Sequence, residues 1–385
     1  PARRRTRGRD GSRGPPNPPR PVNTPLEGVR VLDLSRLLPG PACTWLLSGM
    51  GAQVDRVESL TGDPARHLPP FVNGVGAYFS SMGRGKRSLS MDLRHPDARA
   101  LLLRLVSGYD VLVEGFRPGV LEAMGLGPDV LHEHAPSLVI ARLSGFGQTG
   151  PWSQRVGHDL NYAGLAGVLA AAPGGPPPAA PPVQASDFAG AYLAATRICA
   201  ALFHRQRTGE GSVLDIALAD GALSLMAPFV TTVTGQDREP HPGGEELTGG
   251  LSVYRCYTCS DGRHLTVAPL EPRFQAVLRE HVGDDLSASA LERVFATRPR
   301  DEWVQLLEDA CVGPALTPRE LAAHPHWEAR DALATEEGVT WVHAPSGPAG
   351  RTAAPDLGEH TGAILSDADI SPSEQRAMAD AGLIR

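Results

Sequence analysis

The chain has 385 residues, of which 41% are hydrophobic and 21% charged, with five cysteines and a formal net charge of −7. That length accommodates two domains, or one large domain with an insertion. No window approaches the roughly 18 apolar residues of a membrane helix. No apolar signal-peptide core stands near the start, and an odd cysteine count argues against a disulfide framework. The expectation is a protein of the reducing cytoplasm with no membrane partner.

Residues 1–22 carry seven Arg and one Asp, leaving −13 for the rest of the chain. This Pro- and Gly-rich tail has almost no large apolar side chains to bury and is expected to be disordered. The acidic body argues against a nucleic-acid-binding core. Order is expected from about Pro25. The apolar run GVRVLDLS (28–35) predicts a buried strand. Pro41 suits a first helical position, and the helix that follows should close at Gly51. AQVDRVE (52–58) predicts a second strand, so the three elements form a parallel crossover. After a Pro/Gly loop (60–77) come strand 87–93, helix 96–108, strand 109–116, helix 127–136 and strand 138–147. The alternation predicts a doubly wound α/β layer. Because its first strand is not followed by GxGxxG, a dinucleotide cofactor is not indicated.

Residues 160–171 predict a helix, followed by the Pro-rich loop APGGPPPAAPPVQAS (172–186) and a long helix over 187–209. SVLDIAL (212–218) predicts a strand and 219–235 a helix. A Gly-rich linker (235–250) leads to a hairpin turning at Asp261-Gly262, which opens a smaller α+β region ending near 325. The final helix has Ser371 as N-cap, Pro372 first and Glu374 third, with Gly382 at its exit.

Three groupings could carry chemistry. Asp187 opens a long, mostly apolar helix, so it reads first as an N-cap. A carboxylate there is also favoured as an anion by the helix dipole and could take a proton or attack a carbonyl. Asp159 by the same logic caps the helix from Leu160 and leaves His158 free to face a cleft. Arg84, Lys86 and Arg87, with Arg117 in EGFRPGV, form a basic group that reads either as a solvated turn or as a phosphate site. CYTC (256–259) has zinc-like inner spacing but lacks a second ligand pair, so no metal is assigned.

Several segments occur in order: VLDLSRLLPGPACTWLLSGMGAQVDRVE, GRGKRSLSMDL, EGFRPGVLEAMGLG, ARLSGFGQTGP, GHDLNY, SDFAGAYLAA, RTGEGSVLDIAL and LGEHT. Together they resemble the family III CoA-transferase superfamily, which includes the α-methylacyl-CoA racemases, over about residues 25–362. The resemblance implies a Rossmann-like large domain built from both chain ends (23–234 and 326–385), an inserted small domain (235–325), and a homodimer of interlocked rings. Its active sites would lie between the large domain of one chain and the small domain of the other.

Transferase members use the aspartate matching Asp187 as a nucleophile. Racemase members place the residues matching His158 and Asp187 on either side of the α-carbon of an acyl-CoA, with a glutamate matching Glu271 paired to the histidine. The resemblance therefore implies a cofactor-free acyl-CoA racemase, with a CoA transferase as the alternative. The implied CoA-binding residues are Arg56, Arg84, Lys86, Arg87, Met91, Asp92, Leu93, Arg94, Arg117, Gly157, Asp159, Asn161 and Tyr162. The stretch 59–80 is longer than the racemase pattern and resembles the transferases. Met124 stands where some racemases carry a basic residue.

Overall fold

The structure is a computed structural model that describes residues 24–172 and 178–385. The basic segment 1–22 and residues 173–177, in the first part of the Pro-rich loop, lie outside the described residues. Six parallel strands form the main sheet: β1 (Arg30–Asp33), β2 (Gln53–Glu58), β3 (Lys86–Ser90), β4 (Val111–Glu114), β5 (Val139–Ser144) and β6 (Ser212–Ala217). Their order is β3-β2-β1-β4-β5-β6. Every residue of β4 and β5 is buried, as expected of strands covered on both faces.

Alternate residues of β1, β2, β4 and β5 feed two cores, one on each face of the sheet. On one face Leu32, Leu89, Leu112 and Ile140 pack with helix α3 (Ala98–Val106), with Leu131 of α4 (Pro128–His134), and with Ile364, Leu365, Leu383 and Ile384 from the chain end. On the other, Val31, Val54, Val111 and Val139 meet Trp45, Leu46 and Leu47 of α1 (Pro39–Gly49). Ala191, Ala194 and Ile198 of the long α6 (Ala185–Thr208) complete this second core. Short α2 (Ala77–Met82) precedes β3, and α5 (Asp159–Leu165) lies between β5 and α6. Strand order reverses between β1 and β4, and in open α/β sheets the crevice at such a point takes the ligand.

Helices α6 and α7 (Leu218–Leu225) touch through backbone. A Cβ on Gly221 would stand 2.7 Å from the Gly190 nitrogen and 2.9 Å from the Ala189 carbonyl carbon. This close approach fixes the first two turns of α6, where Asp187 sits.

A separate antiparallel sheet joins Arg255–Thr258, His264–Val267 and Val312–Ala315. It has its own core of Tyr257, Leu265, Leu278, Leu291, Phe295 and Trp303. Gly262 takes the left-handed turn position with φ 73°.

Three differences between the observed helices and the sequence expectation lie outside the start of α6. The helix over 160–171 is broken by Gly167 (φ 81°) into Asp159–Leu165 and Val168–Ala171. The helix over 219–235 divides at Met226 into α7 and α8 (Ala227–Gly235). Pro228 then falls in a first turn, where its missing N–H costs nothing. Helix α1 starts at Pro39 rather than Pro41.

Alanine normally stabilises a helix interior relative to glycine. Gly221→Ala should do the opposite, because the added methyl meets backbone that cannot yield. The expected loss is about 1–3 kcal/mol in urea unfolding; a variant as stable as the parent would show that the two helices can separate.

Candidate active site

The loop after β5 is built to hold His158. Asp215 of β6 accepts the Gln148 amide through both carboxylate oxygens (3.0 and 3.1 Å). Phe146 then packs edge-on to Trp152 and Tyr162, with centroids 5.3 and 5.1 Å apart. The Tyr162 hydroxyl donates to the Gly157 carbonyl. A Cβ at Gly157 would come within 2.9 Å of the Tyr162 ring, so only glycine fits there. His158 occupies the N-cap position of α5 with extended backbone. Its amide donates to Asn161 Oδ1 at 3.0 Å, and its imidazole side is exposed. Gly157, Asn161 and Tyr162 thus orient His158.

Asp159 does not cap its own helix, as the sequence suggested. It is the first residue of α5, and its Oδ1 accepts the amides of Ser186 (2.7 Å) and Asp187 (3.0 Å). These are two of the otherwise unpartnered N–H groups at the start of α6. Asp187 is correspondingly the third residue of α6, not its cap; the cap position is Gln184. One carboxylate therefore ties the helix start beside His158 to the backbone of Asp187.

The electrostatics at Asp187 also depart from expectation. The helix dipole favours its anion, yet burial, and then the nearby Asp159 charge, push its carboxyl up to about 7. Burial and the same two carboxylates push the Tyr162 phenol up to about 12, so it stays a neutral donor.

A cleft of about 1080 Å³ opens at the carboxyl ends of β3, β2, β1 and β4, across the point where strand order reverses. Met91, Asp92, Leu93 and Arg94 line it, as do Arg36, His67, His95 and Arg99. Arg36 lies over the ring of Phe116, which also lines the cleft. Arg117, next in the chain, is exposed beside it.

The other cations singled out in the sequence have internal partners. Arg56 is buried against Asp63. Lys86 donates to the Pro41 carbonyl (2.8 Å) and Thr44 Oγ1 (2.6 Å), close to Asp33. Burial brings its ammonium down to about 8. Arg84 pairs with Glu336 and Arg87 with Asp55 and Asp367. None of these four lines the cleft; they hold strands and the returning chain end together. The cleft cations that sequence reasoning passed over lie three to nine residues beyond strand ends, where a parallel sheet opens to ligand. That position is the signal that identifies them.

Glu271 is the N-cap residue of helix Pro272–Val282 beside the small sheet and is exposed. Among the described residues its carboxylate makes no hydrogen bond or ion pair, to His158 or to any other group.

The comparisons with known proteins accord with this architecture. The model of CoA-transferase family III matches residues 26–361. Human alpha-methylacyl-CoA racemase is 37% identical, covering 91% of this chain and 94% of the relative. Acetyl-CoA:oxalate CoA-transferase of Acetobacter aceti is 31% identical, over 89% and 95%. The crystal structure of a CAIB/BAIF family protein from Brucella suis superposes with a TM-score of 0.79 at 29% identity, covering 90% of this chain and all of that one.

The raised carboxyl of Asp187 has a consequence for stability. An unfolded aspartate titrates near 3.9, so between about pH 4 and 7 the folded chain holds a proton that the unfolded chain has lost. Its contribution is complete below about pH 4 and disappears as pH rises through about 7. Asp187→Asn removes that dependence. The urea midpoint of the variant relative to the parent should therefore rise between pH 5 and pH 8; an unchanged difference would mean that Asp187 is not held protonated.

Proposed function

The chain belongs to CoA-transferase family III, and from that premise we propose that it is an acyl-CoA racemase acting at the α-carbon of a 2-methyl-branched acyl-CoA. The observation that carries this reading is the joining of two helix starts by Asp159. It sets an exposed imidazole and a half-buried carboxyl of raised proton affinity on adjoining segments. Among the relatives, two alpha-methylacyl-CoA racemases have 37% and 36% identity.

Removing a thioester α-proton leaves an enolate whose oxygen needs donors aimed at it. The amides of Asp159 and Leu160, in the first turn of α5, have no acceptor among the described residues and serve that role. The amide of His158 does not, because Asn161 already occupies it. His158 takes the proton from one face while Asp187 delivers one to the other, and the reverse reaction exchanges the roles. The phosphates of CoA bind Arg36, Arg94 and Arg99 in the strand-end cleft, and binding of that handle orients the small reacting centre. No cofactor takes part.

In this reading the active unit is a homodimer in which Glu271 of a second copy orients and stabilises the imidazolium. Support comes from the large apolar side chains left exposed on α6 to α8: Tyr192, Phe203, Leu223, Leu225 and Val230. A transferase reading is also supported. Asp187 is the nucleophile that chemistry would need, and a relative at 31% identity is a CoA-transferase.

Incubation with a 2-methylacyl-CoA in D₂O should introduce deuterium at the α-carbon, and His158→Ala should slow exchange by at least about a hundredfold. Background exchange accompanied by transfer of CoA to a free acid would establish the transferase instead. Co-expression of His158→Ala and Glu271→Ala chains tests the dimer, since one site of each mixed pair then has both residues intact. Exchange in the mixture well above that of either variant alone is expected; no recovery would place both residues in one chain.

A further inference from the structure

The turn between β1 and α1 carries a residue in an unfavourable conformation. Leu37 has φ 65°, a region that side chains other than glycine rarely adopt. The residue is 37% exposed, so burial in a core does not hold it there. The constraint comes from outside the turn. Asp63 accepts the Leu37 amide at 3.1 Å through Oδ2, with Oδ1 at 3.4 Å. Asp63 is itself fixed by three contacts. It is 2% exposed, and its Oδ1 also accepts the Ala65 amide. Its own amide donates to Glu58 Oε2, and the Arg56 guanidinium pairs with Oδ2. Arg56 is 1% exposed and makes no other ion pair among the described residues.

The residue before Leu37 is Arg36. It is exposed, lines the cleft, lies over Phe116, and has no carboxylate partner among the described residues. The rest of the turn is tied below the cleft: Ser35 to Asp33, and the Pro41 carbonyl to Lys86. The contact between Asp63 and Leu37 instead joins the turn to the segment 58–68, which also lines the cleft, Asp63 included.

We propose that Asp63 is a positioning residue for ligand binding: by holding the Leu37 amide it fixes the strained turn that aims Arg36 into the cleft. The proposal rests on the reading that this cleft takes the phosphate-bearing part of CoA. It assigns the buried Arg56–Asp63 pair a role in affinity, with Arg56 holding Asp63 and never meeting the ligand.

The test is calorimetric titration of the full chain with CoA, for the parent, Arg36→Ala, Asp63→Asn and the double variant. Each single variant should weaken binding by about tenfold, the loss of one charge-assisted contact. The double variant should be within about twofold of the weaker single, because both act through one contact. In turnover the loss should fall on KM for acyl-CoA more than on kcat. Asp63→Asn leaves a buried guanidinium without its carboxylate and is open to misfolding. Asp63→Glu is therefore included: it keeps the charge but displaces the acceptor, and it should lose affinity together with hydrogen-exchange protection of the Leu37 amide. If Arg36→Ala binds CoA like the parent, the cleft reading fails. If Arg36→Ala binds weakly but the Asp63 variants bind normally, or their effect adds in full to that of Arg36→Ala, the cleft reading stands and the positioning role is overturned.

Discussion

The candidate site depends on a single carboxylate placed between two helices. Asp159 fills two N–H groups at the start of α6, which would otherwise be left unpaired in a half-buried place at a cost of about 1–3 kcal/mol. Because Asp159 follows His158 directly, the same contact fixes where His158 stands relative to Asp187. It also acts electrostatically. A negative charge held beside Asp187 adds to the effect of burial and raises that carboxyl. Geometry and proton affinity at the site therefore have one source, and a change to Asp159 would alter both together.

The basic residues show how topology divides like charges between scaffold and ligand. Arg56, Lys86 and Arg87 lie within β2 and β3. A parallel strand is walled on both faces, so such side chains must find internal partners, and they do so in Asp63, Asp33 and Asp55. A buried ion left without its partner would be far more costly than the pair is stabilising. Arg36, Arg94 and Arg99 follow strand ends and open to the crevice. The difference is only a few residues along the chain, and it decides whether a cation is held within the sheet or lines the crevice, where Arg94 keeps a local pair with Asp92 and Arg99 donates to the Gly125 carbonyl.

That distinction also marks how far the sequence was legible. The alternation of apolar strands and amphipathic helices gave the α/β layer, because burial on both faces writes near-continuous hydrophobic runs into the strands. Helix ends were less legible. Gly167 and Met226 break helices whose apolar pattern runs on, since backbone conformation and tertiary packing override period there. Asp187 reads as an N-cap because proline-rich chain precedes it, yet α6 begins two residues earlier, with Gln184 in the cap position making no side-chain capping bond. The cap of α6 comes instead from another helix, and a contact between residues 159 and 187 leaves no local trace in either segment. For the basic group at 84–87 the sequence allows either a solvated turn or a phosphate site, because it shows charge but not which charges are already paired.

The state of Asp187 bears on which chemistry the site suits. A nucleophile must be anionic to attack a thioester, and burial works against that form. A racemase makes the opposite demand, since the same group must donate a proton in one direction and accept it in the other. A carboxyl brought to about 7 populates both forms near neutral pH, and proton transfer is most efficient when proton affinity lies near the working pH. An ordinary aspartate near 3.9 would be a ready anion but almost never an acid. On the racemase proposal, the burial that costs a nucleophile its charge suits Asp187 to carry a proton in both directions, with the imidazole of His158 as the complementary group at the adjoining helix start.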